Sequence, residues 1–206
     1  MKTVRAPEQY AELRRRGITF RTLFDVGANK GQTVRDMRNA TRLATIHAFE
    51  PVTSTFNQLR MTVGTDPLTF LHRVALSDHD GEGMMLANTG SQINHLVDVP
   101  SRGIRRRPEH SREEGFETVP LMRGDTFCVE HGIRSIDLLK IDTEGHELEV
   151  LDGFAGMLGN VRAIQVEVAV SEQTWHIPIE RYREYLPDRE LVGVYGGVNY
   201  GNAVFV

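Results

Sequence analysis

The run SIDLLKIDTEGHELEVLDGF, residues 135–154, decides how the chain folds. Ile136 to Ile141 is an almost continuous apolar stretch of strand length, as a strand buried on both faces requires. Asp142 to His146 is polar and carries Gly145, and Glu147 to Leu151 then begin a helix. The same strand, turn and helix order occurs in TLFDVGANKGQTVRDMRNA, and again in ATIHAFEPVTSTFNQLRMTV with a strand at Thr45 to Phe49. A further strand is expected over residues 68–76, a short one at Thr118 to Met122, a short helix in GDTFCVEHGI, and another strand at residues 162–170. ELVGVYG and NAVFV close the chain as an antiparallel hairpin. Residues 7–16 read as a leading helix within the first 20 residues. Residues 78–118 read as an irregular connection, a candidate substrate lid.

Strands that alternate with helices through short turns need crossover connections. The expected fold is therefore α/β, a largely parallel sheet covered on both faces with an antiparallel edge. With 206 residues, one domain over 1–206 is expected. The composition of 40% hydrophobic and 25% charged residues excludes disordered, collagen-like and disulfide-scaffold classes. A net charge of −4 gives no general reason to bind nucleic acid or an anionic membrane. The one cysteine, Cys128, is expected in the core. No secretory signal or membrane span is visible, so a cytoplasmic protein is expected.

Ligands of such sheets lie beyond the carboxyl ends of the strands. Asp25, Gly27, Ala28, Asn29 and Gly31 end the first strand and open its helix, where glycines permit close approach and helix amides supply donors. The spacing is not G-x-G-x-x-G, and Asp25 would repel a pyrophosphate. Glu50, followed by Pro51 at the end of the second strand, can accept both hydroxyls of a ribose. A ribose beside a cationic amino-acid portion describes S-adenosylmethionine.

FDVGANKGQT, HAFEP, VALSD and IDLLKIDTEGHELEVLDG, in that order, resemble the FkbM family of S-adenosylmethionine-dependent methyltransferases. The resemblance implies a class I methyltransferase fold, a Rossmann-like three-layer sandwich whose seven-stranded, mostly parallel sheet ends in a reversed hairpin. It implies O-methylation of a sugar, glycan, glycolipid or natural-product hydroxyl. By position, Asp25 to Gly31 would hold the methionine portion, Glu50 with Pro51 the ribose, and Ser77 with Asp78 the adenine edge. Ser77 and Asp78 read equally well as a turn.

Asp142, Glu144 and His146 are the catalytic candidates, acid and base groups at a strand end. A capped helix start is the alternative, preferred for Glu147. Glu167, with Asp142, offers oxygen ligands to a divalent ion, but no metal is assigned. His95, Trp175 and His176 are set aside as packing or exposed residues. Arg102, Arg105, Arg106 and Arg107 could meet an anionic or polyhydroxylated acceptor from a loop. Other functions remain: a binding module without chemistry, and a nicotinamide-dependent oxidoreductase, which the missing G-x-G-x-x-G and Tyr-x-x-x-Lys patterns oppose. The partner expected is a small-molecule or glycan acceptor, with a homo-oligomer left open.

Overall fold

A computed structural model of the chain describes residues 8–87, 94–97, 115–172, 174 and 176–206. Trp175 and the arginines between 102 and 107 lie outside the described residues. The leading helix is α1 (Glu8–Arg15), followed by β1 (Thr22–Val26), α2 (Gln32–Thr41), β2 (Thr45–Phe49), α3 (Thr53–Val63) and β3 (Thr69–His72). Then come β4 (Ala75–Ser77), β5 (Gly81–Leu86), β6 (Phe116–Arg123), α4 (Gly124–Glu130), β7 (Leu138–Ile141) and α5 (Glu147–Gly153). The chain finishes with β8 (Ile164–Ala169), α6 (Ile179–Tyr185), β9 (Leu191–Gly196) and β10 (Tyr200–Phe205).

Seven strands form one sheet in the order β3-β2-β1-β7-β8-β10-β9. Pairing is parallel from β3 through β8, and only β10 is reversed, since it pairs antiparallel with both β8 and β9. The chain builds β1, β2 and β3 to one side, then returns to lay β7 on the free edge of β1. That reversal of strand order is where doubly wound sheets bind ligands.

The strands are apolar on both faces because helices cover both. Leu23, Ile46, Leu138 and Val204 pack with Tyr10 and Leu13 of α1, Met37 of α2 and Leu59 of α3. Phe24, Leu139, Val166 and Phe205 face the other way, against Phe127 of α4, Leu148 of α5 and Tyr182 of α6. Successive strand residues thus serve opposite cores, as the two-residue period demands. Cys128 lies in the second of these cores, where burial pushes its thiol up to about 12. It is an inert packing residue. Among the described residues no helix is long and apolar enough to cross a membrane.

Two expectations need correction. Residues 68–76 form two strands rather than one, because the chain breaks after His72 and β4 leaves for a second sheet, ordered β4-β6-β5. That sheet also places a strand at Gly81–Leu86, inside the stretch expected to be irregular. Its two glycines and flanking acids resemble loop composition, yet Met85 buries against Leu96, Val119 and Leu121. Burial across the strand pair overrides weak local propensity. Helix α6 is a further element that the sequence pattern does not anticipate.

β2 and β3 carry a histidine pair, His47 buried and His72 half-buried, with His47 Nδ1 standing 3.1 Å from His72 Nε2. Both rings lie against Phe127, and burial holds His47 down at about 4 and His72 at about 3. The unfolded chain binds these protons more readily than the folded one, so their contribution to stability falls as pH drops below about 6.5. Thermal unfolding followed from pH 7.5 to 5 should therefore show a steeper loss in the parent protein than in His72→Phe. Parallel slopes would place the acid sensitivity elsewhere.

Candidate active site

A cavity of about 440 Å³ opens at the carboxyl ends of β1, β2, β7 and β8, beside the start of α2. Its floor is an ion pair. Asp25, wholly buried on β1, is the register partner of Lys140 on β7, and Lys140 Nζ sits 2.8 Å from Asp25 Oδ1. The same ammonium lies 3.4 Å from Asp142 Oδ2 and donates to the Gly27 carbonyl at 3.1 Å. Burial works against the Lys140 charge, but the two carboxylates outweigh it and hold the amine protonated. Burial pushes the Asp25 carboxyl up, and Lys140 opposes that shift. The cation expected opposite Asp25 is therefore a side chain of the protein, and Asp25 does not line the cavity.

The β1–α2 turn is tightly closed. Gly27 takes φ 78°, and a Cβ there would stand 1.8 Å from the Asp142 carbonyl oxygen, so only glycine fits. The amides of Gly27 and Ala28 both donate to the Phe49 carbonyl. Asn29, at φ 49°, donates its amide to Glu50, Lys30 donates to the Asn29 side chain, and Gly31 donates to the Ala28 carbonyl. Every amide from Gly27 to Gly31 is thus engaged inside the protein, which corrects the expectation of free donors in this loop. Gly31 is the N-cap of α2 and faces Leu59 and Thr62 of α3, where a Cβ would come within 2.9 Å of each side chain. It packs helices together and does not line the cavity, whereas Gly27, Ala28 and Asn29 do, followed by Gln32 and Thr33 of α2.

Glu50 faces this turn across the cavity. Its Oε2 accepts the Asn29 amide and its Oε1 the Val52 amide, each at 3.1 Å. Burial pushes its carboxyl up to about 7, although those two amides pull the other way. A carboxylate has about four acceptor positions, so two remain for a ligand. Pro51 stands beside it in the lining. The next wall is apolar, formed by Phe49, Val74, Ala75 and Leu76. Ser77 and Asp78, expected at an adenine edge, lie outside the cavity lining. Ser77 is buried with its hydroxyl 3.0 Å from His146 Nε2, and Asp78 Oδ1 sits 2.6 Å from His79 Nδ1.

Asp142, Thr143, Glu144 and His146 line the opposite wall. Glu147 shapes that turn, its Oε1 accepting the amides of Thr143 at 2.9 Å and Gly145 at 3.0 Å, which is the capping role preferred for it. His146 is buried, with Nε2 toward Ser77 and Nδ1 3.7 Å from Glu149. Glu144 is held at φ 59°, a left-handed conformation uncommon for a residue with a side chain. His95 is buried outside the lining, although its neighbours Asn94 and Leu96 reach it. Glu167 of β8, His176 and Tyr200 complete the far end.

A sequence profile of the methyltransferase FkbM domain matches residues 25–191. The chain belongs to this family. Among its relatives, the 2-O-methyltransferase NoeI of Sinorhizobium fredii is 29% identical over 177 residues, 82% of this chain and 72% of that protein. The hexuronic acid methyltransferase AglP of Haloferax volcanii is 29% identical over 147 residues, 71% of this chain and 55% of that one. The crystal structure of a methyltransferase FkbM from Methylobacillus flagellatus superposes with a TM-score of 0.57 at 14% identity, covering 91% of this chain and 44% of that chain. Aeropyrum pernix fibrillarin in complex with natively bound S-adenosyl-L-methionine gives a TM-score of 0.50 at 13% identity, over 96% of this chain and 74% of that one. These likenesses establish the class I methyltransferase fold.

Within this FkbM chain, sequence reasoning underused Lys140 and set His176 aside. Lys140 carried a readable signal. TLFDV and LLKI each place one ionisable residue in a strand that must be buried, and two such charges have to meet. His176 carried none, because its partner Glu167 is on another element. Removing one member of the buried pair, as in Lys140→Met, should cost about 3–5 kcal/mol of unfolding free energy in urea denaturation. The double change Asp25→Leu with Lys140→Met should cost less than the two single changes summed. Additive losses would show that the charges do not depend on each other.

Proposed function

We propose that the chain transfers a methyl group from S-adenosylmethionine to a hydroxyl oxygen of a sugar. The carrying observation is the acidic lining, in which Glu50, Asp142, Glu144 and Glu167 face a cavity whose one lysine is committed to Asp25. Such a surface favours a sulfonium and repels a pyrophosphate. The turn with no free amide from Gly27 to Gly31 agrees, since a dinucleotide site needs those donors. The name of NoeI, a 2-O-methyltransferase, supports an oxygen as acceptor, and that of AglP, a hexuronic acid methyltransferase, supports a sugar.

The residues present fit this methyl donor. The two remaining acceptor positions of Glu50 suit the two ribose hydroxyls, and Val74, Ala75 and Leu76 give the base an apolar wall. Gly31 provides no side-chain cap for α2, so the amides at the start of that helix, beside Gln32 and Thr33, suit the carboxylate of the amino-acid portion. When bound, the donor supplies an electrophilic methyl on sulfur. The protein's part is chiefly alignment, holding the reacting atoms about 3–3.5 Å apart. Asp142, part-exposed in the cavity and fixed by Lys140, is placed to accept the hydroxyl proton. His146, between Ser77 and Glu149, is better suited to hold the wall that carries Asp142 and Glu144.

Calorimetry should show binding of S-adenosylmethionine and S-adenosylhomocysteine and none of NAD, and labelled methyl should pass to a sugar in an acceptor screen. Tighter binding of NAD would sink this reading, while cofactor binding with no acceptor across the screen would favour a binding module.

Glu50 predicts a pH dependence. A carboxyl raised to about 7 must ionise to accept two hydroxyls, so cofactor affinity should strengthen as pH rises from 6 to 8, with proton release at the lower end. Glu50→Gln should flatten that profile. Glu50→Ala should weaken binding by about 1–3 kcal/mol, and it should also lower stability by freeing the Asn29 and Val52 amides.

A further inference from the structure

We propose that Glu144, Glu167 and His176 form a site for one divalent cation at the end of the cavity away from Glu50. Each offers one donor atom, and the three donors lie within 4.8 Å of one another. His176 Nε2 and Glu167 Oε2 are 2.9 Å apart. Metal bonds of about 2.1 Å set at right angles place neighbouring donors about 3 Å apart. The Glu167 and His176 pair already has that spacing, and Glu144 need only close onto it.

The surroundings prepare the histidine for this role. Nδ1 of His176 is against Thr174 Oγ1, which directs Nε2 toward Glu167 and the cavity. The ring stacks on Tyr200 at 4.7 Å between centroids. A ligating histidine whose second nitrogen meets an oxygen is the usual supporting arrangement at metal centres. Glu144 is presented from a residue held at φ 59°, a conformation that costs free energy unless the surroundings enforce it.

Charge points the same way. Two carboxylates converge here beside Asp142, while the ammonium of Lys140 is bound to Asp25 and Asp142. A divalent cation relieves that repulsion. The partner suggested by the acidic composition alone was Asp142 with Glu167, but Asp142 turns to Lys140, and an imidazole takes its place in the set. Two carboxylates and one imidazole suit a first-row transition ion that accepts both oxygen and nitrogen, such as Mn²⁺, rather than Ca²⁺, which takes oxygen ligands. All three residues line the cavity, so the remaining positions would be open to it, where two neighbouring hydroxyls of a sugar would complete the shell. This last role rests on the sugar methyltransferase reading; the cation site itself does not.

The test is a titration of the full chain with Mn²⁺ alone, followed by electron paramagnetic resonance. One bound ion per chain is expected, with echo modulation from a coordinated imidazole nitrogen. His176→Gln should abolish the modulation, and Glu167→Gln should weaken binding at least tenfold. Glu144→Gln, outside any helix or strand, is a further variant that leaves the sheet untouched and should weaken binding similarly. Circular dichroism of each variant should match that of the parent, and the dissociation constant of the parent protein for S-adenosylhomocysteine, measured without Mn²⁺, reads the cofactor site separately. No Mn²⁺ bound at millimolar concentration, binding without nitrogen modulation, or equal binding by the folded variants would overturn the site. Any of these with cofactor binding intact would leave the methyltransferase reading standing.

Discussion

A lysine ammonium shut between two carboxylates holds β1 to β7 at the place where strand order reverses. The rest of the site depends on it. Lys140 binds Asp25 beneath the cavity, the Gly27 carbonyl at the turn and Asp142 at the wall, so a single cation ties together two segments far apart in sequence, 25–27 and 140–142. Buried charges of this kind are weak sources of stability compared with apolar packing. What they supply here is register. A slip of β7 by one residue would place Lys140 among the apolar side chains of the opposite core and leave Asp25 alone.

The arrangement above that pair is selective by charge and by geometry together. The turn after β1 spends its amides on Phe49, Glu50 and its own residues, while the walls carry carboxylates. A ligand with two phosphates would find few donors and several like charges. A ligand with a positive centre and a diol would find the reverse. A related doubly wound sheet that binds a dinucleotide needs the opposite balance, with free amides for the pyrophosphate, so the fold leaves function undecided until individual groups are placed.

Much of this could be read from the chain. The buried strands were legible because their residues are largely apolar over strand length, and most of the helices because turns flank them. Glu50 was legible because an acid at a strand end before a proline has few structural uses. The small sheet was not, since β5 is short, glycine-containing and stabilised by partners at residues 116–123 that local pattern does not reveal. Ser77 and Asp78 adjoin the cavity without lining it, because Ser77 turns its hydroxyl to His146 and Asp78 meets His79, while Ala75 and Leu76 of the same strand form the wall. Free amides after β1 were expected from composition. Their loss follows from the carbonyl of Phe49 and the carboxylate of Glu50, which only the paired strands bring within reach.

The reversal of β10 has one more result. Because β10 runs against its neighbours, its first residue, Tyr200, emerges at the same end of the sheet as the last residues of β7 and β8, and it reaches the cavity there. The β9–β10 hairpin turn therefore adjoins the Glu167 end of the cavity, anchored by the Asn199 carbonyl to the amides of Val170 and Ser171. Hairpin turns tolerate changes of length and residue far better than buried strands. A lineage could reshape this end of the cavity by remodelling these few residues while Glu50, Lys140 and the turn at Gly27 stayed as they are, so that this hairpin turn is where diversity would accumulate at least cost to the enzyme.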